Sequence, residues 1–418
     1  MMGGLEVIPA MVSASENVVG SGEVGGGSRR LYCDNAATSF PKPAEVLQAM
    51  VHYATEIGAS AGRGGYAEAQ ASAAVLKTCR ERLNTLFNGE NPQHFIFALN
   101  CTDALNLAIK GILQPGDHAV TTWMDHNSVL RPYNALASEG GISYTHVAVD
   151  PVTCVVDPTE IRKAIRPNTK LIAVVHGSNV TGTVQPIREI GKIAREAGIP
   201  FLVDAAQTAG HVPIDVQADC VDLLAFPGHK GLMGPLGTGA LYIRPGLEGT
   251  LRPLRHGGTG SVSEQDVQPE FMPDKFEAGS HNGIGLAGLS AGVEWILKRT
   301  VASLWQHDQM LCKAFMSGVE GVEGLQYFGP QGIRNRMGVF SVRVRGMEPG
   351  KLAEVLENEF GILTRAGLHC APLAHTHLGT VGSGGTTRLS FGPFLNVPDI
   401  EYVANALSAV ALREFAAA

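Results

Sequence analysis

The sequence predicts an α/β fold, with a large domain built on a mainly parallel sheet and a smaller C-terminal α+β domain. Between about residues 70 and 250, short apolar runs alternate with amphipathic segments, as strands alternate with covering helices in such sheets. Apolar residues recur at helical spacing from Ile187 to Ala197. The candidate strands are residues 95–99, 118–122, 171–175, 201–203 and 223–226.

The C-terminal part has a different pattern. Residues 337–345 and 387–391 alternate like strands, and residues 351–360 and 400–415 have helical periodicity. A long helical connection is expected from about Gly285 to Gly318. We therefore predict three regions: a flexible tail over 1–30, a large domain over 31–285 whose N-terminal segment also contributes to the small domain, and a connecting helix with the small domain over 286–418.

The first helix is expected just after Ser39, which is a possible helix cap. Two prolines and apolar residues at helical spacing follow it. The tail before it contains an apolar patch at 7–12 and a glycine-rich, linker-like stretch at 21–28. The patch lacks a basic flank and is too short to span a bilayer, so we expect a cytoplasmic protein.

Charge and cysteine usage narrow the function classes. The 418 residues carry a net charge of −7, from 32 basic and 39 acidic side chains, and no basic run occurs. This argues against a nucleic acid or a membrane surface as partner and favours a small-molecule substrate. The seven cysteines are scattered, with no Cys-x-x-Cys pair. That pattern argues against a disulfide framework and a cysteine zinc site.

Lys230 is the most informative residue. It lies in Gly-His-Lys between the apolar runs 223–226 and 240–243, so two rigid elements flank it. A desolvated lysine can form a Schiff base with an aldehyde, whereas most lysines lie in solvated loops. A second signature favours the chemical role: the buried run 201–203 ends in Asp204, followed by Gln207. An acid at a strand end can pair with a protonated pyridine nitrogen.

The segments Val203-Asp-Ala-Ala-Gln207 and Gly228-His-Lys230 together resemble the class V aminotransferase family of fold-type I pyridoxal-phosphate enzymes. Within it, the chain is most similar to the SUF-type (group II) cysteine desulfurases and selenocysteine lyases, over about residues 31–413. The resemblance implies pyridoxal 5'-phosphate bound to Lys230, with Asp204 at the pyridine nitrogen and Gln207 at the phenolic oxygen.

A phosphate site is expected where the run 95–99 ends and a helix begins near Thr102, because helix N-termini bind anions. Thr102 could equally be an ordinary cap. The resemblance assigns the phosphate to Cys101, Thr102 and Asp103, and to His229. Relatives usually carry Ser or Thr where this chain has Pro227, which offers neither a hydroxyl nor an N–H group.

The resemblance also implies three residues at the ring and the substrate. His126 would stack on the pyridine and move protons, although a lone histidine is more often structural. Asn179 would lie beside the phenolic oxygen and the substrate carboxylate, where it could otherwise be a turn residue. Arg388 would bind the substrate carboxylate in a bidentate manner, the alternative being an exposed structural arginine.

The glycine-rich segments 257–264 and 276–282 resemble segments that complete the partner subunit's site in a homodimer. Thr259 is accordingly expected to bind the cofactor phosphate of the partner. Two surface turns are the alternative.

Cys370 decides the reaction class. A single cysteine is usually a small buried hydrophobe, but Arg-x-Gly-x-His-Cys in a loop matches the persulfide-forming cysteine of group II desulfurases. His369, His375 and His377 lack carboxylate or thiolate partners, so no metal is predicted.

The expected activity is conversion of L-cysteine to L-alanine, with Lys230, His126 and Cys370 as catalytic residues. Sulfur would remain on Cys370 as a persulfide until a sulfur-acceptor protein takes it. Two alternatives remain: a lyase acting on L-selenocysteine or another carbon–sulfur bond, and a non-catalytic module that scaffolds sulfur transfer.

Overall fold

The structure is a computed structural model and describes residues 18–19, 30–62, 64–262 and 264–417. Apart from residues 18–19 and 30, the predicted tail and its apolar patch lie outside the described residues. No helix in these ranges is both long enough and apolar enough to cross a bilayer.

Short strands alternate with helices through the first two thirds of the chain. The strands are β1 (Val18–Val19), β2 (Leu31–Tyr32), β3 (Lys42–Pro43), β4 (Phe95–Ala98), β5 (His118–Thr122), β6 (Ser143–Val147), β7 (Thr169–Val175), β8 (Phe201–Asp204), β9 (Leu223–Pro227), β10 (Gly239–Ile243), β11 (Leu325–Tyr327), β12 (Val339–Val344), β13 (Ile362–Leu363), β14 (Arg365–Gly367) and β15 (Thr386–Ser390). The helices are α1 (Ala44–His52), α2 (Ala67–Phe87), α3 (Cys101–Ile112), α4 (Asn127–Gly140), α5 (Pro158–Ala164), α6 (Ile187–Ala197), α7 (Gly283–Arg299), α8 (Val301–Val319), α9 (Pro349–Phe360), α10 (Pro372–His377) and α11 (Val397–Ala417).

The large sheet has the order β4-β10-β9-β8-β7-β5-β6. Only β10 runs against its neighbours, and the pairs from β9 to β6 are parallel. The predicted α/β fold with a mainly parallel sheet is confirmed. Strands inside a sheet that helices cover on both faces are buried on both sides, which explains why β5, β8, β9 and β10 are buried along their whole length.

A second, antiparallel sheet has the order β11-β12-β15-β14. It packs on α8, α9 and α11 through a core that includes Phe315, Phe340, Leu407 and Phe391. The two residues of β2 pair in parallel with β13, so residues 31–32 join the C-terminal part of the chain. The boundary between the two predicted domains, at residues 285 and 286, stays a prediction.

Two local predictions were wrong. Ser39 does not cap the first helix, because α1 begins at Ala44 and the Ser39 hydroxyl donates to the carbonyl oxygen of Lys230 instead (2.8 Å). The long connection is two helices rather than one. Thr300 has φ +65° between α7 and α8 and accepts a hydrogen bond from the N–H of Ser303, so it caps α8.

Candidate active site

A cavity of about 110 Å³ opens at the carboxyl ends of the strands of the large sheet. In parallel sheets this edge is the usual place for a ligand, because loops diverge there and helix N-termini face it. The cavity combines most of the predicted site residues with several others. It is lined by Asn100, Cys101, Thr102, Leu105, His126, Ser128, Val175, Gly177, Asn179, Asp204, Ala206, Gln207, Pro227, His229 and Lys230.

Lys230 follows β9 and presents its amine to this cavity. Among the described residues, no group forms a hydrogen bond with its Nζ atom. Burial lowers the pKa of the ammonium; Cys101 raises it, Arg388 lowers it further, and Asp204 raises it. A lowered pKa increases the fraction of neutral amine, which is the nucleophilic form.

Asp204 ends β8 and is almost fully buried. Its Oδ1 accepts hydrogen bonds from the N–H of Ala206 (2.9 Å) and from the thiol of Cys101 (3.5 Å). Burial raises the pKa of the carboxyl group, and these two donors together with the charge of Lys230 act in the opposite direction. Its Oδ2 accepts no hydrogen bond from the described residues, so one oxygen of a buried acid is available to a cationic N–H group.

Gln207 lies one turn beyond Asp204. Its Nε2 donates to the carbonyl oxygen of Ala36 (3.1 Å). A side-chain amide has two N–H groups on that nitrogen, so one remains for a ligand in the cavity.

The start of α3 forms one wall of the cavity. Asn100 caps the helix by accepting the N–H of Asp103 (2.9 Å), and the Thr102 hydroxyl lies 2.8 Å from that of Ser128. His229 also lines the cavity, and its Nδ1 is buried without a hydrogen-bond partner among the described residues. Hydroxyls, a histidine nitrogen and a helix N-terminus together suit an anion.

Asp103 does not line the cavity. Its carboxylate accepts the N–H of Leu99 (3.1 Å) and pairs with Arg255 (3.3 Å). The first contact is part of the helix cap, and the second reaches a neighbouring loop. The role of Asp103 at the phosphate stays a prediction.

His126 caps α4 with its ring. Its Nδ1 accepts the backbone N–H of Ser128 (3.1 Å), so a neutral ring carries its proton on Nε2. Burial lowers the pKa of the ring to about 4, and the charge of Lys230 contributes to the same direction. The ring is therefore neutral near pH 7 and suited to packing against an aromatic ligand.

Arg388 lies behind Asn179, adjacent to the cavity, on the buried strand β15. Its Nη1 donates to the carbonyl oxygen of Asn179 (3.3 Å), and its Nη2 lies 2.6 Å from Oδ1 of Asp34. Its Nε is buried and has no hydrogen-bond partner in the described part of the chain. A guanidinium with an unused N–H donor next to the cavity can bind a carboxylate, as predicted for that of the substrate.

Arg365 is a functional candidate that was not singled out by sequence. It lies opposite Arg388 in the register of β14 and β15, and its charge lowers the pKa of Lys230, His126 and Arg388. The signal was present, because Arg365 opens the Arg-x-Gly-x-His-Cys pattern that identified Cys370.

Cys370 is exposed, whereas the other six cysteines are buried. His369 and Cys370 both have left-handed backbone conformations, with φ +48° and +58°. Such conformations cost free energy for residues with a Cβ atom, so contacts must hold them. Asn179 donates to the carbonyl oxygen of His369 (2.6 Å), and the N–H of Asn127 donates to that of Cys370 (2.9 Å). These bonds attach the Cys370 loop to the wall of the cavity.

Thr259 is not in the cavity of its own chain. Its hydroxyl lies 2.8 Å from that of Ser261, and its neighbour Gly258 accepts the N–H of Gly279 (2.8 Å). The two glycine-rich segments therefore contact each other, and the role of Thr259 in a partner's site stays a prediction.

No cluster of histidine, cysteine and acidic residues that could hold a metal ion occurs in the described ranges. The rings of His369 and His375 are buried and bonded to Thr386 and Thr380.

The fold and the cavity define a class: an α/β protein with a buried lysine of lowered pKa and a buried aspartate at the carboxyl edge of a mainly parallel sheet, beside a helix start that suits an anion. The chain belongs to the aminotransferase class-V family, whose model matches residues 31–403. The family predicted from sequence is thereby confirmed.

Relatives with this architecture are similar over nearly their whole length. The chain is 35% identical to a probable cysteine desulfurase of Methanothermobacter thermautotrophicus, covering 91% of this chain and 94% of that protein. A solved apo cysteine desulfurase of Thermococcus onnurineus superposes with a TM-score of 0.86 at 32% identity, covering 91% and 94% of the two chains. The cysteine desulfurase CsdA of Escherichia coli superposes with a TM-score of 0.80 at 28% identity, covering 91% and 94%.

Proposed function

We propose that this protein is a pyridoxal-phosphate-dependent cysteine desulfurase that converts L-cysteine to L-alanine and takes the sulfur onto Cys370. One observation carries the proposal: the loop of the exposed Cys370 is bonded to the wall of the cavity that holds Lys230 and Asp204. A transaminase has no need of an exposed thiol at that place. The similarity to cysteine desulfurases supports the same reading.

The residues present fit pyridoxal 5'-phosphate. Lys230 offers an amine without a competing hydrogen bond to the aldehyde, and Asp204 offers an unused carboxylate oxygen to the pyridine nitrogen. The Thr102 hydroxyl, the start of α3 and the unpartnered Nδ1 of His229 suit the phosphate. Pro227 contributes no donor, so a hydroxyl from elsewhere, such as Ser128 or the partner subunit's Thr259, is needed to complete the phosphate site.

The substrate carboxylate is assigned to Arg388, with the second positive charge of Arg365 nearby. The unused Nε–H of Arg388 and one of its Nη–H groups can form the parallel pair of hydrogen bonds that a carboxylate prefers. Binding there would orient the side chain of L-cysteine relative to the Cys370 loop.

When bound, pyridoxal phosphate withdraws electrons from the α-carbon of an attached amino acid. Lys230 then takes the α-proton, since its lowered pKa makes the neutral amine available as a base. Asp204 would hold a proton on the pyridine nitrogen, and the neutral ring of His126 would pack against the pyridine. The Cys370 sulfur attacks the substrate sulfur as the carbon–sulfur bond breaks. L-cysteine and a thiol thus become L-alanine and a persulfide, without an external oxidant or reductant.

Three further assignments belong to this proposal. The protein acts as a homodimer, in which Thr259 completes the partner's phosphate site. A sulfur-acceptor protein removes sulfur from Cys370, whose exposure leaves it accessible. The acidic composition, with no basic run, is consistent with a cytoplasmic protein.

The test is to incubate the purified holoenzyme with L-cysteine, to measure alanine, and to map the persulfide by mass spectrometry. Alanine with one extra sulfur on Cys370 supports the proposal. Turnover of L-selenocysteine but not of L-cysteine would replace it with the lyase. A protein that binds no pyridoxal phosphate would support the non-catalytic scaffold.

A further inference from the structure

Residues 34–42, named the positioning segment, contact each of the three elements that carry the site. The segment reaches β15, the turn after β8 and the loop after β9, although none of its residues lines the cavity. At the turn after β8, the carbonyl oxygen of Ala36 accepts the amide of Gln207 (3.1 Å). The segment therefore lies immediately behind the residues that would touch cofactor and substrate.

At the cofactor end, donors from the positioning segment converge on the peptide between His229 and Lys230. The carbonyl oxygen of His229 accepts from the Thr38 hydroxyl (3.0 Å), from the N–H of Ser39 (3.0 Å) and from Nζ of Lys42 (2.8 Å). The Ser39 hydroxyl donates to the carbonyl oxygen of Lys230 (2.8 Å) and accepts from Nζ of Lys42 (2.7 Å). A fixed peptide plane fixes the direction in which both side chains leave the backbone.

The Nζ atom of Lys42 forms hydrogen bonds with two neutral oxygen atoms. No carboxylate lies within ion-pair distance of its Nζ among the described residues. Burial lowers the pKa of this ammonium to about 8, which reflects the cost of its position. Among the described residues, its hydrogen bonds go to the His229 carbonyl oxygen and to Ser39, so they act on this peptide.

At the substrate end, the segment is tied to β15. The N–H groups of Asn35 and Ala36 donate to the carbonyl oxygen (3.3 Å) and the hydroxyl (2.8 Å) of Ser390. Asp34 is held in register by these bonds, and its Oδ1 lies 2.6 Å from Nη2 of Arg388. One edge of the guanidinium is thus occupied by Asp34, while its Nε forms no hydrogen bond with the described residues, so Asp34 holds the orientation of Arg388.

We propose that the positioning segment orients the cofactor end and the substrate end of the site through two different residues. This proposal rests on the proposed function. Lys42 orients the His229–Lys230 peptide and so retains the cofactor. Asp34 orients Arg388 and so governs binding of the amino-acid carboxylate. Both act through other residues, so they are positioning residues rather than catalytic ones.

The test compares Lys42→Met and Lys42→Arg with Asp34→Ala and Asp34→Glu. Two exposed ion pairs away from the site provide matched controls, Lys351→Met and Glu357→Gln. The measurements are the rate of pyridoxal phosphate release after dilution, KM and kcat with L-cysteine, the inhibition constant of L-alanine, and the melting temperature.

Loss of a charge-assisted hydrogen bond should cost about tenfold in the property that it supports. Lys42→Met should therefore release cofactor about tenfold faster with KM nearly unchanged, and Lys42→Arg should restore most of the retention. Asp34→Ala should raise KM and the L-alanine inhibition constant about tenfold, leaving cofactor release unchanged, with partial recovery in Asp34→Glu.

A structural role alone would not change cofactor release in the Lys42 variants and KM in the Asp34 variants independently of each other. If each variant changes cofactor release and KM to the same extent along with the melting temperature, or changes neither, the proposal is overturned. A lower KM in Asp34→Ala would mean that Asp34 competes with substrate, which overturns its half. Should Lys42→Met fail to fold, Lys42→Arg with wild-type cofactor release and an intact fold supports the role, and rapid release counts against it. If the wild type binds cofactor but leaves L-cysteine unchanged, the proposed function fails, while cofactor release still tests Lys42.

Discussion

The backbone N–H of Asn127 donates to the carbonyl oxygen of Cys370 over 2.9 Å, which places the exposed thiol loop directly beside the residue that follows His126. One side of this contact belongs to the start of α4 in the large sheet's helical layer, and the other to the C-terminal part of the chain. The proposed nucleophile and the proposed ring-stacking residue are therefore held together by main-chain atoms, whose position does not depend on either side chain.

Lys230→Ala should remove turnover by at least about 10³-fold, because base catalysis and covalent attachment are lost together. Reduction of the wild-type holoenzyme with borohydride, followed by peptide mass spectrometry, should place the cofactor on Lys230. Attachment to another lysine, of which Lys42 has the next most perturbed amine, would refute the assignment.

Asp204→Asn should retain cofactor but lower kcat by about 10²-fold, since a neutral amide cannot stabilise a protonated pyridine nitrogen. Steady-state kinetics with L-cysteine gives kcat and KM separately. An unchanged kcat would remove Asp204 from the mechanism. Asp222→Asn, which lies just before β9 and pairs with Arg244, is the control for general destabilisation.

Cys370→Ala should still bind L-cysteine, as Lys230 and Arg388 are intact, but alanine release should fall by about 10²-fold or more because the sulfur lacks its acceptor. Rapid-scanning absorbance detects binding, and amino-acid analysis detects alanine. Normal alanine release by the variant would make Cys370 structural. Activity toward L-selenocysteine is expected to survive, because selenium leaves more readily.

Arg388→Lys should raise KM for L-cysteine about tenfold, with a smaller effect on kcat. A lysine keeps the charge but cannot form the bidentate contact, and tenfold corresponds to about 1.4 kcal/mol. The inhibition constant of L-alanine should rise in parallel. A selective fall in kcat would instead place Arg388 in the chemical step.

The folded protein should lose stability as the pH falls from about 6.5 toward 4. Burial lowers the pKa of His126 to about 4 and that of His176 to about 3, so the unfolded chain binds protons first in this range. Stability therefore rises with pH through that window and levels off above it. Urea unfolding of the apoprotein at several pH values measures this, and His176→Gln should flatten the slope. A slope unchanged in the variant would mean that other groups control acid sensitivity.

Sequence patterns predicted the elements that local apolar periodicity defines. The strand 118–122 and the helix 187–197 match the structure at both ends, and Lys230, Asp204 and His126 lie in one cavity as expected. Ser39 was misread because its hydroxyl bonds to a peptide 191 residues away, a partner that no local pattern reveals. Local patterns could not reveal the pairing of Asp34 with Arg388 either, since 354 residues separate the two. Asp103 was carried over by resemblance, and its role at the phosphate stays a prediction, because its side chain contacts the helix cap and Arg255.

The uneven exposure of the cysteines allows the folded protein to be labelled at a single site. Six thiols are buried and only that of Cys370 is exposed, so an alkylating or fluorescent maleimide added to native protein should react once. The rate of that labelling reaction measures how accessible the Cys370 loop is, and the measurement needs no substrate. A dye placed there would also report approach of any protein that comes to collect sulfur, before a single turnover has occurred.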